Sequence, residues 1–351
     1  MNITNPKNIL VFQTAFLGDV VLTLPMIQLL KKQYPSASID VVTTPRAADL
    51  LLHHPAIRSI IYYDKRKTQK GISGILSLAR KLSGKNYDVA VVPHRSFRSA
   101  VVVALSNIPH RITFDSSSAK FLYNHIVPYK NEKHEIERNI ALLSPFQISF
   151  YKKEFPNLYP SVNDIAAVNK MLFEREILEH HKIIAIAPGS VWNTKRWLLE
   201  RYAELSAMLA EEGLCVVIIG GKEDSKLGAT ILEKASHKNI FDVTGKLSLL
   251  QSAELINRCK VLVTNDSAPL HLAVAMRTPI VAIFGPTVPA FGFGPYGPND
   301  IVVERNGLPC RPCSIHGSDE CPIGTFDCMI EIKTVTVFNA VKKILQPQSV
   351  H

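Results

Sequence analysis

The chain has 351 residues, of which 46% are hydrophobic and 20% are charged, with a formal net charge of +10. This length and composition predict an ordinary globular protein with about two domains of 150 to 180 residues each. No apolar run approaches the roughly 18 residues needed to span a bilayer. The beginning, "MNITNPKNILVFQ", lacks the basic start and cleavage site of a signal peptide, so we expect a cytoplasmic protein.

The positive charge lies in the first half of the chain. Residues 1–155 contain 21 Lys+Arg and 10 Asp+Glu, a net charge of +11, whereas residues 156–351 contain 19 and 20, a net charge of −1. Such a basic half indicates an anionic partner, which could be nucleic acid, a phosphate-bearing substrate or the cytoplasmic leaflet of a membrane. No recognition motif supports nucleic acid. The alternative is a basic surface that is only solvated.

Short β-rich runs alternate with helix-like segments along the first half. The predicted strands are "NILVFQ", "SIDVVTT", "IRSIIYY", "YDVAVVP" and "RITF". Segments such as "VVLTLPMIQLLKKQY" and "GILSLARKLSG" between them have the pattern of helices. This alternation is typical of βαβ units on a parallel sheet.

The same alternation begins again after an irregular region near residues 145–163 and a helix-like segment, "DIAAVNKMLFEREILE". The second set of predicted strands is "KIIAIAP", "LCVVIIGG", "NIFDVTG", "KVLVTND" and "PIVAIFGP". The pattern predicts an α/β protein with two Rossmann-like domains that face each other across a cleft. We place the domains at residues 1–160 and 161–330, and expect a C-terminal helix and tail, residues 331–351, to pack back towards the N-terminal domain.

A Gly-Asp pair, Gly18 and Asp19, lies at the junction between the first predicted strand and the helix that follows it. An aspartate in the first turn of a helix is stabilised by the helix dipole alone. The same carboxylate, near the carboxyl end of a parallel strand, could instead be a base that points into the cleft. The dipole should lower the pKa of Asp19 and keep it ionised.

Three loops follow predicted strands of the second half: "APGSVWNTKRW", "IGGKEDS" and "TNDSAPLH". Their small residues let the backbone approach a ligand, and the N–H groups of the helix that follows suit a phosphate. Lys195 could place a full charge near a diphosphate, and Glu223 could accept hydrogen bonds from ribose hydroxyls. The alternative is ordinary turn and capping chemistry.

Several nucleotide motifs fail or are missing. "GFGPYG", residues 292–297, matches G-x-G-x-x-G but contains Pro295 and is followed by a Pro-rich loop rather than a helix. The chain has no G-x-x-x-x-G-K-[ST] loop and no Asp-x-Asp pair. We therefore expect no metal and no cofactor, with the charge of a leaving diphosphate met by Lys195 and helix N-termini.

"FLGDVVLTLP", "APGSVWNTKRW" and "VTNDSAPLHLAVAMRTPIVAIFGPT" occur in this order along the chain. These motifs resemble glycosyltransferase family 9, the bacterial lipopolysaccharide heptosyltransferases, and "LPCRPCSIHGSDECPIGTFDCM" is similar to a segment common in heptosyltransferase II sequences. The resemblance implies a GT-B fold and inverting, metal-independent transfer from ADP-heptose. It also implies an acceptor-binding N-terminal domain and a donor-binding C-terminal domain. The alternatives are a type I or III activity, or a non-catalytic nucleotide- or polyanion-binding protein.

Carried over by position, the resemblance makes Asp19 the catalytic base. It implies a set of donor-binding residues in the second half: Ser190, Lys195, Glu223, Asp266, Ser267 and His271. Two positions depart from the pattern of relatives. Val191 stands where some relatives have a second hydroxyl residue, and "NDSAP" replaces Asp-Thr-Gly. These departures affect the contacts expected at the diphosphate.

The implied acceptor is an anionic lipid A precursor bearing Kdo and heptose, at the cytoplasmic face of the inner membrane. Peripheral contact with that membrane is expected, and nucleic acid is not. Arg95 and Arg98, at the start of a predicted helix beside the cleft, could bind its phosphates and carboxylates. They could also only solvate a helix end. We expect Tyr62–Lys70 to be a solvated loop that could rest on anionic lipid.

Four cysteines lie within 19 residues: Cys310, Cys313, Cys321 and Cys328. The first pair has the C-x-x-C spacing of a zinc site, whereas the second pair is irregularly spaced for one. Disulfides are not expected in a cytosolic protein. The segment is therefore either a compact loop of reduced thiols or a site with a metal or redox role.

Overall fold

The computed structural model describes residues 3–148 and 152–346. The chain divides into two compact units, Met1–Tyr159 and Pro160–His351. Each unit contains one parallel sheet of six strands. This arrangement confirms the predicted α/β class with two Rossmann-like domains. The functional division of the chain at 160 and 330 stays a prediction.

The first unit alternates strands and helices. Its strands are β1 (Asn8–Phe12), β2 (Ser38–Thr43), β3 (Ser59–Tyr62), β4 (Val89–Val92), β5 (His110–Phe114) and β6 (His125–Val127). Its helices are α1 (Leu17–Gln33), α2 (Pro45–Ala48), α3 (Gly71–Ser83), α4 (Phe97–Leu105) and α5 (Glu135–Ala141).

The second unit repeats this plan. Its strands are β7 (Ile183–Ala187), β8 (Cys215–Ile218), β9 (Ile240–Asp242), β10 (Val261–Asn265), β11 (Ile280–Phe284) and β12 (Ile301–Glu304). Its helices are α6 (Val162–Phe173), α7 (Leu199–Glu211), α8 (Ser225–Ala235), α9 (Leu249–Arg258), α10 (Ala268–Met276), α11 (Asp327–Ile330) and α12 (Thr334–Leu345).

The two sheets have the same strand order. The first sheet has the order β3-β2-β1-β4-β5-β6 and the second the order β12-β11-β10-β7-β8-β9. The two orders are the same when the second sheet is read from its other edge. In each, the direction of strand addition reverses once, between β1 and β4 and between β7 and β10. Open α/β sheets bind ligands beyond the carboxyl ends of the strands at this reversal. The loops after these four strands are therefore the places for a site.

Apolar residues on both faces explain why these strands form the centre of each unit. Every residue of β4, β7, β10 and β11 is buried, as are the last four of β1. Strands that are covered by helices on both faces are continuously apolar rather than alternating. The β-branched composition of "IIAIA" and "VAVV" therefore specifies both the extended backbone and the central position.

Two strands, β6 and β12, were not among the predicted runs. Each is short, with three and four residues, and each forms one edge of its sheet. Helix α12, near the C-terminus, packs on α7 and on strands β10 to β12 of the second unit. Contact of residues 331–351 with the N-terminal domain stays a prediction, and residues 347–351 lie outside the described part of the chain.

Candidate active site

Asp19 is the third residue of α1 and lies seven residues after Phe12, where β1 ends. Its Oδ2 accepts a hydrogen bond of 3.1 Å from the backbone N–H of Phe16, which precedes the helix. Asp19 therefore satisfies one of the N–H groups that every helix start leaves without an intrahelical partner. The side chain is half-buried, since α1 is packed into the first unit by a long series of buried residues.

The pKa of Asp19 is raised to about 7, mainly by burial and in addition by the nearby carboxylate of Glu135. Hydrogen bonds from the backbone of Phe16 and of Asp19 itself, and the charge of Arg95, act in the opposite direction. The prediction that the helix dipole would lower this pKa was wrong, because the loss of hydration outweighs the favourable N–H groups. A carboxyl group with a pKa near neutrality suits a general base.

Glu135 is the first residue of α5 and is 6% exposed. Its Oε2 accepts hydrogen bonds of 2.9 Å from the hydroxyl of Tyr129 and 2.9 Å from the guanidinium of Arg138. The guanidinium of Arg95 lies 4.2 Å from the centre of the Tyr129 ring. The surroundings of Asp19 are therefore a fixed cluster of acids, arginines and one tyrosine. The sequence patterns did not single out Glu135 or Tyr129.

Arg95 and Arg98 lie at the start of α4, after β4, as their positions in the sequence predicted. Arg95 is exposed, whereas Arg98 is half-buried and donates a hydrogen bond of 3.2 Å to the carbonyl of Lys65. The Nζ of Lys65 donates to the carbonyl of Thr14 at 2.8 Å. Lys65 therefore lies at the carboxyl edge of the sheet, half-buried, although its loop was expected to be solvated.

The second unit has an ion pair at the corresponding edge of its sheet. The Nζ of Lys195 lies 2.6 Å from Oδ2 of Asp266, and only 13% and 10% of the two side chains are exposed. The same Oδ2 accepts a hydrogen bond of 2.7 Å from the hydroxyl of Thr287. The structure thus brings together two residues that the sequence placed on separate loops, after β7 and after β10.

Asn265, at the end of β10, connects the two loops. Its side-chain amide donates to the carbonyl of Pro188 at 2.8 Å. Its side-chain oxygen accepts from the backbone N–H of Trp197 at 3.0 Å and from the hydroxyl of Tyr202 at 2.9 Å. These bonds hold the loop that carries Lys195 against the loop that carries Asp266. The asparagine of "TNDSAP" was not among the predicted site residues.

Three other predicted donor residues lie after β7 or after β10. Ser190 follows β7 and is half-buried, and its carbonyl accepts two hydrogen bonds from Arg196, of 2.9 and 2.6 Å. Ser267 directly precedes α10, with its hydroxyl 3.4 Å from that of Thr264. His271 is buried inside α10. All three lie at the first turn of α10 or at the neighbouring loop, where helix N–H groups favour an anion.

Glu223 lies further along the edge, on an exposed turn after β8. Its neighbour Asp224 connects this turn to the Ser190 loop: the carboxylate lies so close to Gly189 that a Cβ there would approach it to 2.2 Å. The same carboxylate accepts a hydrogen bond of 2.9 Å from the N–H of Gly221. A side chain at residue 189 would therefore displace the carboxylate of Asp224. Asp224 was not among the predicted site residues.

All four cysteines of the C-terminal segment are free thiols, of which Cys328 is buried. Burial raises the pKa of the Cys321 thiol, but hydrogen bonds from the backbone of residues 323–326 outweigh this and lower it. Within residues 3–148 and 152–346, no group of three or more His, Cys, Asp or Glu side chains is arranged to hold a metal ion. No helix in the same described ranges is long and apolar enough to span a bilayer.

A family model described as "Glycosyltransferase family 9 (heptosyltransferase)" matches residues 75–323. The lipooligosaccharide heptosyltransferase 2 of Haemophilus ducreyi is 30% identical over 302 residues, which cover 81% of this chain and 84% of that protein. A family 9 glycosyltransferase from Veillonella parvula has a similar structure, with a TM-score of 0.88, 25% identity and 98% of each chain covered. The ADP-heptose lps heptosyltransferase II of E. coli gives a TM-score of 0.78 and 26% identity, over 97% of this chain and 100% of that one.

Proposed function

The chain belongs to glycosyltransferase family 9, and from this premise we propose that it transfers L-glycero-D-manno-heptose from ADP-heptose to the inner core of lipopolysaccharide. The names of the similar proteins from H. ducreyi and E. coli support this substrate pair. They also support the finer assignment to type II. The acceptor is then a lipid A precursor with Kdo and heptose, and the enzyme works at the cytoplasmic face of the inner membrane.

The observation that carries the proposal is the environment of Asp19, a half-buried carboxyl group with a pKa of about 7 beyond the end of β1. In the proposed reaction Asp19 removes the proton from an acceptor hydroxyl while that oxygen forms a bond to the anomeric carbon. The bond from this carbon to the diphosphate breaks on the opposite face, and ADP leaves with inverted configuration at the sugar. A pKa near the working pH lets the base be ionised and still hold the proton afterwards.

The second unit supplies the donor site. Lys195 and the N-terminus of α10 meet the charge of the diphosphate, with Ser190, Ser267 and His271 around it. Glu223, on its exposed turn, accepts hydrogen bonds from the ribose. Asp266 holds the ammonium group of Lys195 in position through the 2.6 Å ion pair. No metal ion is required in this scheme, because developing negative charge is met by an ammonium group and helix N–H groups.

The first unit supplies the acceptor site. Arg95 and Arg98 frame the edge of the sheet near Asp19, and half-buried Lys65 adds a third positive group. Guanidinium groups bind carboxylate and phosphate oxygens with paired hydrogen bonds. The excess of basic residues in residues 1–155 supports attraction to an acceptor that is rich in such groups and to an anionic membrane surface.

Release of ADP from ADP-heptose in the presence of defined inner-core acceptors tests the function. Type II activity requires turnover only when the acceptor already carries the first heptose. Turnover with a Kdo-terminated acceptor would indicate type I activity instead. Binding of ADP-heptose without turnover on any acceptor would return the protein to a non-catalytic nucleotide-binding role.

A further inference from the structure

The cysteine-rich segment, defined as residues 308–329, contacts both partners of the donor-site ion pair through neighbouring backbone. At one end, the guanidinium of Arg311 donates to the carbonyls of Gly285 and of Thr287, the latter at 2.9 Å. The hydroxyl of Thr287 in turn donates to Asp266. The segment is thereby fixed to the loop after β11. Thr287 of this loop is the residue that contacts Asp266, the acidic partner of the ion pair.

The middle of the segment is fixed to the loop that carries Lys195. The carbonyl of Ser318 accepts hydrogen bonds of 3.0 Å from the backbone N–H of Thr194 and 2.8 Å from its hydroxyl. The N–H of Ser318 donates back to that hydroxyl at 2.9 Å. Thr194 is 4% exposed, and these three bonds fix the spacing of the two chain segments.

Gly317 lies directly against the side chain of Lys195. Its backbone has φ +87°, and a Cβ at this position would come within 2.9 Å of Cγ and 3.0 Å of Cδ of Lys195. The aliphatic part of the lysine therefore occupies the space that any other residue would need. Because Cγ and Cδ direct the ammonium group, a change at residue 317 moves the charge that pairs with Asp266.

We propose that Gly317 and the Thr194–Ser318 hydrogen bonds are positioning elements that hold Lys195 in place for the donor diphosphate. The inference rests on the proposed function, because it assigns the diphosphate to Lys195. It gives the cysteine-rich segment a role that its motif does not reveal. The segment forms a rigid support for Lys195 on the loop after β7. A rigid support keeps the ammonium group within the fraction of an ångström that tight electrostatic contacts require.

A pair of glycine variants separates this role from backbone strain. Gly324 belongs to the same segment and also has positive φ, +78°, but nothing lies within 4 Å of its missing Cβ. Gly317→Ala and Gly324→Ala therefore share the strain of an L-residue at positive φ, and only the first displaces Lys195. We expect Gly317→Ala to raise the Kd for ADP-heptose, measured by titration calorimetry, about tenfold above that of Gly324→Ala. The KM for acceptor should be equal in the two variants.

A second set of three variants tests the proposal even if Gly317→Ala fails to fold. Thr194→Val keeps the shape of the side chain and removes its hydroxyl, and Thr194→Ser restores the hydroxyl. Thr278→Val is the matched control, because Thr278 is 5% exposed and its hydroxyl donates to a backbone carbonyl, that of Ile256. We expect several-fold weaker donor binding for Thr194→Val, recovery with Thr194→Ser, and no change for Thr278→Val at a similar loss of Tm.

The same titration distinguishes the two ways of failing. If the wild-type chain does not bind ADP-heptose, the proposed function is wrong and this inference is wrong with it. If the wild type binds, but Gly317→Ala matches Gly324→Ala or Thr194→Val matches Thr278→Val, the segment contributes only to stability. The proposed function would then stand without this positioning role.

Discussion

The two units place an aspartate at the same kind of position, beyond a strand next to the reversal of strand order, but in opposite electrostatic surroundings. Asp19 follows β1 and has a pKa raised to about 7 by burial and by Glu135. Asp266 follows β10 and forms a 2.6 Å ion pair with Lys195. Identical side chains on similar scaffolds are therefore prepared for different chemistry.

In the proposed reaction this difference separates a base, Asp19, from a positioning group, Asp266. The carboxylate of Asp266 lies against the ammonium group of Lys195 and the hydroxyl of Thr287, and so holds a positive charge in place. A carboxyl group in a poorly hydrated site, near a second acid, accepts a proton at neutral pH. The first unit is thus suited to proton transfer, and the second to holding a positive charge for an anionic ligand.

The largest effect is expected from Asp19→Asn. The amide can still accept the hydrogen bond from Phe16 but cannot take up a proton. Turnover should therefore fall by roughly 10²-fold or more, with the Kd for ADP-heptose little changed. Steady-state ADP release and titration of the donor measure the two quantities.

Asp164→Asn is the control for the capping role. Asp164 is the third residue of α6 and accepts a hydrogen bond of 2.9 Å from the N–H of Ser161, as Asp19 does from Phe16. The change in the capping contact alone should cost both variants a similar amount of stability, at most about 2 kcal/mol. The pH-dependent change of the Asp19 variant is separate from this cost. Equal turnover in the two variants would leave Asp19 with a capping role only.

The next largest effect concerns the ion pair in the second unit. Lys195→Ala removes a shielded charge contact, and we expect donor binding to weaken by about 1.5 to 3 kcal/mol. Part of this loss arises because Asp266 is left as an uncompensated charge that repels the diphosphate. The double variant Lys195→Ala/Asp266→Asn should therefore bind ADP-heptose more tightly than Lys195→Ala alone.

Lys170→Ala, which removes an exposed lysine from α6, should bind the donor like the wild type. Unchanged donor affinity in Lys195→Ala would place the diphosphate elsewhere. Loss of activity on addition of EDTA would contradict the metal-independent scheme. Either outcome would contradict the proposal that the second unit meets the charge of the diphosphate with Lys195 and without a metal ion.

Most of the fold followed from hydrophobic periodicity, and the exceptions have a physical reason. The central strands include continuous apolar runs, such as "IIAIA" and "IVAIF", which are easily recognised in the sequence. The edge strands β6 and β12 have three and four residues, and only one residue of each is fully buried. Their pairing depends on the neighbouring strand rather than on their own pattern, so the sequence alone did not reveal them.

The site was accessible to sequence reasoning only in part. Motif position placed Asp19 at the start of the helix after the first strand, and Lys195 and Asp266 on loops that follow strands. The pKa of Asp19 was predicted in the wrong direction, because burial and Glu135, more than a hundred residues away in sequence, outweigh the local helix dipole. The contact of Gly317 with Lys195 likewise joins distant segments, and no local pattern encodes such a contact.

A smaller effect is expected from the arginines of the first unit. Replacing Arg95 and Arg98 together by alanine should raise the KM for acceptor several-fold and leave that for ADP-heptose nearly unchanged. Added salt should act similarly, since exposed charges are screened over about 8 Å at physiological ionic strength. The control is the double variant Arg80→Ala/Lys81→Ala, which removes two exposed cations from the last turn of α3. Equal losses for both substrates would contradict the division of labour between the units.

Asp19 should also make stability depend on pH. Between about pH 4 and 7 the folded chain holds a proton on Asp19 that the unfolded chain releases, so wild-type stability falls as the pH rises through this window. Asp19→Asn lacks this loss. Its Tm relative to wild type should therefore increase from pH 4 to pH 7 and then stay constant. A gain of about 1 kcal/mol corresponds to roughly 2 to 4 °C for a domain of this size. A pH-independent difference in calorimetric scans would show that Asp19 is well hydrated.

The smallest effect separates Asp19 from its neighbour. Glu135→Gln keeps acceptors for Tyr129 and Arg138 but removes the negative charge that helps to raise the pKa of Asp19. We expect kcat/KM of the wild type to fall below about pH 7, and this limit should move down by a fraction of a unit in Glu135→Gln. Glu137→Gln changes an exposed acid two residues further along α5 and should leave the profile in place. A pH profile that Glu135→Gln does not move, or moves upward, would mean that another group sets the acidic limb, and the contrast between the two aspartates would then rest on burial alone.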